Sequence, residues 1–305
     1  MKRIVKRVVL VILAVAVVVA ASFAIFAYVQ VRNFDASMAK VYDVPPLAIT
    51  ISTDEAVLAR GKHLVESVAP CATRDCHGSD LAGGTNIDVG PIGNFCGPNI
   101  SAGGLGATYT DGELARLVRH GVKKDGRSVR FMPAHEFGFL PDSDLTAAIS
   151  YLRTMPPVDR PNALMTIKWF GKFIDRMDGI PLDIARRIDH EHPEVWTGPP
   201  EPTAKYGRLL ARSCTGCHGK KFSGGPIPGA PASMPKPLNL TPHETGLKDW
   251  TFDDFDKLLS TGVRKNGSAL NPFMPLDAIG RLDPIERRAL WEYLRTLPPV
   301  PLGNR

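Results

Sequence analysis

The sharpest chemical signal in the sequence is a cluster of two cysteines and a histidine late in the chain. Two residues separate Cys214 from Cys217, and His218 follows directly. Two thiols at this spacing can bond both vinyl groups of one haem, and the histidine can ligate its iron. Structural zinc would need a second ligand pair, and none follows at zinc-finger spacing. A thioredoxin-like redox pair would need a βαβ pattern, which the flanking sequence lacks. The motif therefore predicts covalently attached haem c.

A second cluster of this kind lies earlier in the chain, but its spacing is wider. Four residues separate Cys71 from Cys76, and His77 follows directly. In one interpretation both cysteines bond a haem, and Cys96 stays a free thiol, which is tolerable if it is buried. In the other, only Cys76 bonds the haem, and Cys71 forms a disulfide with Cys96 in an oxidising compartment. The residues leave both interpretations open.

The two clusters belong to a repeat. In each copy the Cys-His-Gly triplet precedes a Gly-Gly pair, an asparagine between apolar residues, a Phe-Met-Pro segment and a Leu-Arg-Thr-x-Pro-Pro-Val segment. His77 and Met132 are 55 positions apart, and His218 and Met274 are 56 positions apart. The copies extend over about 100 residues each, which is too long for a solenoid of short repeats. The pattern therefore predicts two similar domains in tandem.

The Phe-Met-Pro segments offer the second axial ligand of each haem. Met132 and Met274 occupy equivalent positions of the repeat. Histidine and methionine on opposite faces of a haem raise its potential and leave no open coordination position. The repeat therefore predicts His77 with Met132 at the first iron and His218 with Met274 at the second. The competing ligands lack an equivalent in the other copy; they are His63, His120, His135, His243 and Cys96.

The elements that must position these residues are predicted to be helices. Thr110 and Thr251 each precede an acidic residue by three positions, which is a capping-box pattern. Asp283 followed by proline begins a further helix, and the matching helix of the first copy begins near Ser143. No alternating strand run is found in the sequence, so the predicted class is all-α with long Gly- and Pro-rich loops. Loops of that length need a group inside the domain to organise them.

The N-terminus carries four basic residues and then an apolar run over residues 8–29 that only Ser22 interrupts. As a helix rising about 1.5 Å per residue, the run spans about 33 Å, which is enough for a bilayer core. Basic residues before the run predict that the N-terminus is cytoplasmic. A cleaved signal peptide is the alternative, but its apolar region usually has about 7–15 residues. The sequence therefore favours an uncleaved anchor.

Composition agrees with this organisation. The 305 residues include 37 Lys and Arg against 31 Asp and Glu, a formal net charge of +6. Four of those positive charges precede the apolar run, so the remainder of the chain carries only +2. The basic balance therefore gives no support to nucleic-acid binding. A hydrophobic content of 44% excludes wholesale disorder, and five cysteines are too few for a disulfide scaffold.

With these motifs the chain resembles membrane-anchored dihaem c-type cytochromes. It is similar to the cytochrome subunits of periplasmic alcohol, aldehyde and gluconate dehydrogenases. Besides the cluster at 214–218, the shared segments are Asn-Leu-Thr-Pro at 239–242, Glu-Thr-Gly at 244–246, Trp-Thr at 250–251, Met-Pro at 274–275 and Tyr-Leu-Arg-Thr-Leu-Pro-Pro at 293–299. The resemblance covers about 54–158 and 200–300. It implies two cytochrome c domains, with Gly61 and Gly207 packed closely against Tyr151 and Tyr293.

We therefore expect a membrane anchor at 1–30, a linker at 31–53, a first cytochrome c domain at 54–158, a second linker at 159–199 and a second domain at 200–305. The second linker is rich in aromatic residues. It is expected to form a helix around 182–190 that packs on a domain. The sequence departs from the resembled subunits in its wide first cluster, in Cys96, and in having two haem sites where those subunits often have three.

The resemblance implies an electron carrier with two covalent haem c groups and no catalytic residue. It would act in a respiratory chain, on the periplasmic face of a bacterial inner membrane. Its redox partners would be a dehydrogenase or quinol-oxidising complex and a terminal oxidase or soluble cytochrome. The alternative is a dihaem enzyme of the cytochrome c peroxidase type. Such an enzyme needs one iron with an open coordination position, whereas Phe-Met-Pro occurs in both halves here.

Overall fold

The computed structural model describes residues 2–228, 230 and 234–305, and most of its regular structure is helical, as predicted. The first residue of the predicted anchor and four residues of the predicted second domain, 229 and 231–233, lie outside the described residues. In chain order the helices are α1 Lys2–Ala39, α2 Glu55–His63, α3 Asp111–His120, α4 Ala134–Phe137, α5 Asp142–Thr154, α6 Trp169–Arg176, α7 Ala204–Leu210, α8 Thr215–His218, α9 Phe252–Thr261, α10 Leu276–Ile279 and α11 Pro284–Thr296.

Three helices begin at the capping boxes that the sequence predicted. In each box the N-cap side chain accepts a hydrogen bond from a backbone N–H three residues later, and the acidic side chain at that position accepts one in return. Gly121 and Gly262 then end α3 and α9 in the left-handed region, at φ 63° and 69°. The residue pairs are Thr110 with Glu113, Thr251 with Asp254, and Asp283 with Glu286.

The first and last helices of each half cross at a glycine, whose lack of a side chain lets the two backbones come close together. Helix α2 packs on α5, and α7 packs on α11. A Cβ atom on Gly61 would lie 2.0 Å from the carbonyl oxygen of Ala147 and 2.9 Å from the Cβ of Tyr151. A Cβ atom on Gly207 would lie 1.9 Å from the carbonyl oxygen of Ala289, one turn before Tyr293. The backbones therefore touch at both glycines that the resemblance singled out.

The two halves exchange contacts across their boundary. Helix α4 contacts the 3₁₀ turn Ala211–Cys214, which leads into the second cysteine cluster. Helix α10 contacts the π-helical turn Leu64–Val68, which leads into the first cluster. Side chains of both halves also share one buried apolar cluster. The short helix after each Phe-Met-Pro segment therefore supports the cysteine cluster of the other half.

A small antiparallel sheet, which the sequence did not predict, lies beside the first half. Its strands are β1 Ile87–Asp88, β2 Gly93–Phe95 and β3 Thr166–Ile167, in the order β1-β2-β3. Phe95 pairs with Ile87, and Gly93 pairs with Ile167. Strands of two or three residues are too short to show an alternating pattern, which explains why the sequence did not reveal them.

The prediction of a helix around 182–190 is wrong. That segment contains only the 3₁₀ turn Ala185–Arg187, and the helix between the halves is α6. The Asp175 side chain accepts hydrogen bonds from the backbone N–H groups of Leu182 and Asp183, at 2.8 and 3.2 Å. These N–H groups therefore bond a nearby side chain, which favours a non-helical backbone in this segment.

Helix α1 is long and apolar enough to cross a membrane by length and composition, with a mean hydropathy of 3.2 over its most apolar window. It continues as one helix past residue 30, so the predicted linker 31–53 begins as helix. Beyond the apolar run, Phe34 is only 3% exposed and packs in a cluster with Ile92, Phe95 and Leu182. The outer end of α1 is thus built into the core of the first half.

Candidate haem-binding sites

The second cysteine cluster forms a compact helical turn. The 3₁₀ turn Ala211–Cys214 passes directly into α8, which carries Cys217 and ends at His218. His218 is 5% exposed, and its Nδ1 atom lies 2.7 Å from the carbonyl oxygen of Leu238. A carbonyl oxygen accepts only, so Nδ1 carries the proton, and Nε2 is left with a lone pair for a metal. Burial lowers the pKa of His218, which favours the neutral imidazole that a metal binds.

The first cluster reaches the same histidine geometry through a longer turn. The two additional residues are accommodated because the N–H of His77 donates to the carbonyl oxygen of Cys71, at 3.0 Å. The Nδ1 atom of His77 lies 2.8 Å from the carbonyl oxygen of Pro98. Pro98 and Leu238 occupy equivalent positions of the repeat. Burial lowers the pKa of His77 as well, so both histidines have the same orientation and charge.

One asparagine in each copy holds the loop that supplies this carbonyl. Asn99 donates from Nδ2 to the carbonyl oxygen of Val158, at 2.8 Å, and Asn239 donates to that of Val300, at 2.7 Å. Both asparagines are almost fully buried. Sequence reasoning noted these asparagines only as part of the repeat and did not assign them this role. Their recurrence beside the Leu-Arg-Thr-x-Pro-Pro-Val segments was the available signal.

The predicted ligands of the first half line one apolar cavity. Cys71, His77, Cys96 and Met132 all border a cavity of about 420 Å³. An adjoining smaller cavity is bordered by Cys76 together with the same four residues. The larger volume lies within the range of about 300–1,000 Å³ that cofactor sites occupy. Apolar side chains from α3 and α5 form much of its wall; they include Leu114, Leu117, Val118, Ile149 and Leu152. A flat, apolar, histidine-ligated group such as haem fits this lining.

The two methionines occupy matching turns. Met132 precedes Pro133, the N-cap residue of α4, and Met274 precedes Pro275, the N-cap residue of α10. In each turn the N–H two residues after the methionine donates to the methionine carbonyl oxygen, at 2.8 Å. Both side chains are half-buried. Met132 faces the cavity of His77, and the repeat places Met274 in the corresponding turn of the second half.

The cysteines lie in surroundings that shield them from water. Burial raises the pKa of Cys71 and of Cys214 to about 12. All five cysteines are described, and each is free in the structure. Cys96 is 4% exposed, and its Sγ atom lies 3.4 Å from the carbonyl oxygen of Ala163. The structure thus brings Cys71, Cys76 and Cys96 to one cavity, where either of the predicted bonding patterns has its partners close together.

The histidines that compete as ligands have other surroundings. His63 bonds the Glu286 carboxylate, and His243 bonds the Thr245 hydroxyl in an exposed turn. His120 lies 3.3 Å from His190, nitrogen to nitrogen. His135 borders a cavity of about 390 Å³ between α4 and the second half, away from the residues around His77. These contacts favour the methionines as the second ligands.

Glu136 is a buried carboxyl group beside the second cluster that sequence reasoning missed. It is 9% exposed, and its Oε1 atom would lie 3.8 Å from a Cβ on Gly216, between the two cysteines. Burial raises the pKa of Glu136 to about 8. The second copy has Ala278 at this position, which is fully buried. A difference between otherwise matching copies was the signal that could have identified it.

Comparisons with known proteins agree with this geometry. Residues 204–298 match the Cytochrome c family. The cytochrome c subunit of alcohol dehydrogenase (quinone) from Gluconacetobacter polyoxogenes is 28% identical over 283 residues, covering 84% of this chain. The chain spans 59% of the length of that relative.

Two further relatives extend the comparison. The cytochrome c subunit of gluconate 2-dehydrogenase from Pantoea cypripedii is 35% identical over 109 residues, which is 33% of this chain and 25% of the relative. A dihaem cytochrome c-type protein from Cereibacter sphaeroides is 24% identical over 250 residues, which is 72% of this chain and 77% of the relative. The chain therefore contains a cytochrome c domain and is homologous to cytochrome c subunits of alcohol and gluconate dehydrogenases.

Proposed function

We propose that this chain, which contains a cytochrome c domain, is a membrane-anchored dihaem electron carrier with one haem c in each half. It would transfer electrons on the periplasmic face of a bacterial inner membrane, from a dehydrogenase or quinol-oxidising donor to a terminal acceptor. The domains would extend over 54–158 and 200–305. The supporting observation is that His77 and Met132 border one apolar cavity with the thiols of the first cluster.

In each half the chain's own residues would hold one haem. The vinyl groups of the first haem would be bonded by Cys71 and Cys76. Those of the second haem would be bonded by Cys214 and Cys217. His77 and Met132 would ligate the first iron, and His218 and Met274 the second. When bound, each haem supplies an iron that accepts and returns one electron. A methionine at the sixth position leaves no site for a substrate, which favours a carrier over an enzyme of the peroxidase type.

The contact between the halves supports transfer within one chain. Helix α4, which follows Met132, lies on the turn that leads to Cys214, and α10, which follows Met274, lies on the turn before Cys71. Arg281 of the second half pairs with Glu66 of the first, at 2.5 Å. These packed contacts would hold the two haem groups in a fixed relation, so that electrons could pass between them without domain motion.

The donor is inferred from the relatives. Several homologues are cytochrome c subunits of dehydrogenases, which are electron carriers rather than the catalytic component. By analogy, the electron donor of this chain would be a dehydrogenase. The N-terminal helix α1 would keep the carrier at the membrane, and the packing of Phe34 would join this helix to the first half.

The test is electron paramagnetic resonance and absorption of the purified full-length chain, in its oxidised and reduced states. Two low-spin haems, each with the charge-transfer band of methionine ligated to ferric iron, are expected. Neither should react with peroxide. A high-spin haem that reacts with peroxide would contradict the carrier and support the peroxidase alternative. One haem per chain, determined by pyridine haemochrome and protein assay, would contradict the dihaem assignment.

A further inference from the structure

Helix α6 carries an apolar stripe on a face that the rest of the fold does not fully cover. Trp169, Phe173 and Met177 are spaced four residues apart and share one face. Trp169 is 62% exposed, and Met177, directly after the helix, is 51% exposed. Gly171 and Asp175 lie on the opposite face, and both are buried. An aromatic face turned outward and a carboxylate turned inward indicate that something other than water covers the outer face.

The inward face is fixed, so the helix cannot rotate to bury its apolar side chains. A Cβ on Gly171 would lie 2.4 Å from the carbonyl oxygen of Ile92, which shows how closely α6 lies on the loop before β2. Asp175 is fully buried and pairs with Arg186 at 3.0 Å and Arg187 at 3.3 Å. Turning this carboxylate outward would leave two guanidinium groups without their buried partner.

The outward face continues onto the apolar run of α1. The ring of Phe173 lies 6.0 Å from that of Phe23 and 6.1 Å from that of Phe26, between ring centroids. Phe23 and Phe26 lie six and three residues before the end of the run at residue 29. At about 1.5 Å per residue this is about 5–9 Å inside that end. Interfacial helices bury their apolar face about 5–10 Å into the boundary between headgroups and acyl chains.

We propose that α6 is an interfacial helix that lies in the outer surface of the bilayer, with Trp169, Phe173 and Met177 against lipid. This inference rests on the proposed role of α1 as the membrane anchor. Trp169 has the amphipathic ring that membrane–water interfaces favour. The Nζ atom of Lys172 pairs with Asp35 of α1 at 2.7 Å, which fixes α6 to α1 on the aqueous side of these rings.

The arrangement would set the orientation of the first half relative to the membrane. Phe34 of α1 and Phe170 of α6 belong to one cluster with Phe95. Phe95 stacks on Phe131 at 4.6 Å between centroids, and Phe131 directly precedes Met132. A packed series of aromatic side chains thus connects the lipid-facing surface with the methionine side of the first cavity.

The test is photo-crosslinking of the full-length chain, with its haem attached, in nanodiscs of phosphatidylcholine and phosphatidylglycerol. p-Benzoylphenylalanine would replace Trp169, or Val17 in the middle of the apolar run, or Leu302 near the C-terminus. Val17 and Leu302 are 66% and 53% exposed, so they match Trp169 in accessibility. We expect lipid adducts at Val17 and at Trp169, each about tenfold more abundant than at Leu302.

The possible outcomes test the interfacial position of α6 separately from the membrane-spanning role of α1. Lipid adducts at Val17, with Trp169 no higher than Leu302, would overturn the interfacial helix and retain the anchor. No lipid adducts at either position would overturn both. Crosslinks from Trp169 to a second protein chain would assign the surface to a protein contact and overturn the lipid proposal. Each variant must show the haem absorption of the parent; if the Trp169 variant does not, Met177 replaces it on the same face.

Discussion

The Nε2 atom of His63 lies 2.9 Å from a carboxylate oxygen of Glu286, although 223 residues separate them in sequence. Arg60 also approaches this carboxylate, at 3.5 Å. Glu286 is fully buried, and it completes the capping box of α11 by accepting a hydrogen bond from the N–H of Asp283. One side chain therefore caps a helix of the second half and binds both Arg60 and His63 on α2 of the first.

Replacing Glu286 with alanine is expected to lower the free energy of unfolding by about 2–4 kcal/mol. The change removes a cap and the shared partner of Arg60 and His63, and the expected loss is moderate because both side chains are about a quarter exposed. Urea unfolding of the haem-loaded chain would measure it. Glu292→Ala is the control: this half-buried side chain pairs only with Arg288, one turn earlier on the same helix, so its loss should cost about 0.5 kcal/mol.

The same contact predicts a pH dependence. The hydrogen bond to Glu286 raises the pKa of His63 above its ordinary value of 6.5. A raised pKa in the folded state stabilises the fold fully below about pH 6.5, and this contribution is lost as pH rises through the raised value. The unfolding free energy of the parent should therefore fall as pH rises above about 6.5, and that of His63→Gln should fall less. Equal slopes for the two proteins would contradict the assignment.

Changing each proposed methionine ligand to histidine should shift one haem potential only. Met132→His should lower the potential of one redox transition, and Met274→His that of the other, because histidine is a stronger donor to ferric iron than methionine. A shift on the order of 0.1 V or more is expected, within the span of about 0.8 V that axial ligands produce. Potentiometric titration monitored by absorption would measure it. Met155→His serves as the control, since that position lies outside the proposed ligand sets.

Counting thiols would decide the bonding of the first cluster. If Cys71 and Cys76 both bond haem, reduction and alkylation of the denatured chain should label Cys96 alone. If Cys71 instead pairs with Cys96, reduction should expose both of them, and the peptide with His77 should carry one thioether. The proximity of the three cysteines at one cavity permits either result. Mass spectrometry of the alkylated peptides would distinguish them, and we expect the label on Cys96 alone.

Gly61→Ala tests the helix crossing of the first half. A methyl group there would meet the carbonyl oxygen of Ala147 at 2.0 Å, so α2 and α5 would have to separate. We expect a loss of about 1–3 kcal/mol in thermal or urea unfolding, as for other overpacked sites. Lys62→Ala, the exposed neighbour on α2, should change stability by no more than about 0.5 kcal/mol. Similar stability of both variants would show that the crossing can relax.

The features that the sequence predicted correctly depend on residues close together in the chain. A capping box needs a side chain and a backbone N–H only three residues apart. For this reason the sequence around Thr110, Thr251 and Asp283 predicted the starts of three helices. A run of 22 apolar residues in the same way indicates a helix long enough for a bilayer. The proposal of a histidine ligand after each cysteine cluster also came from neighbouring residues, because haem attachment needs its groups on one short turn.

What only the tertiary structure decided was which distant segments meet. Glu286 of α11 meets His63 of α2, more than 200 residues earlier in the chain, and Arg281 meets Glu66. Nothing in local periodicity reports such contacts, because they depend on how complete helices pack. For the same reason the sequence placed aromatic residues in a linker, whereas the fold set Phe173 against the apolar run of α1. Residues close together in the sequence thus indicated the haem motifs and the helices. The packing of whole helices determined which side chains are buried and which face outward.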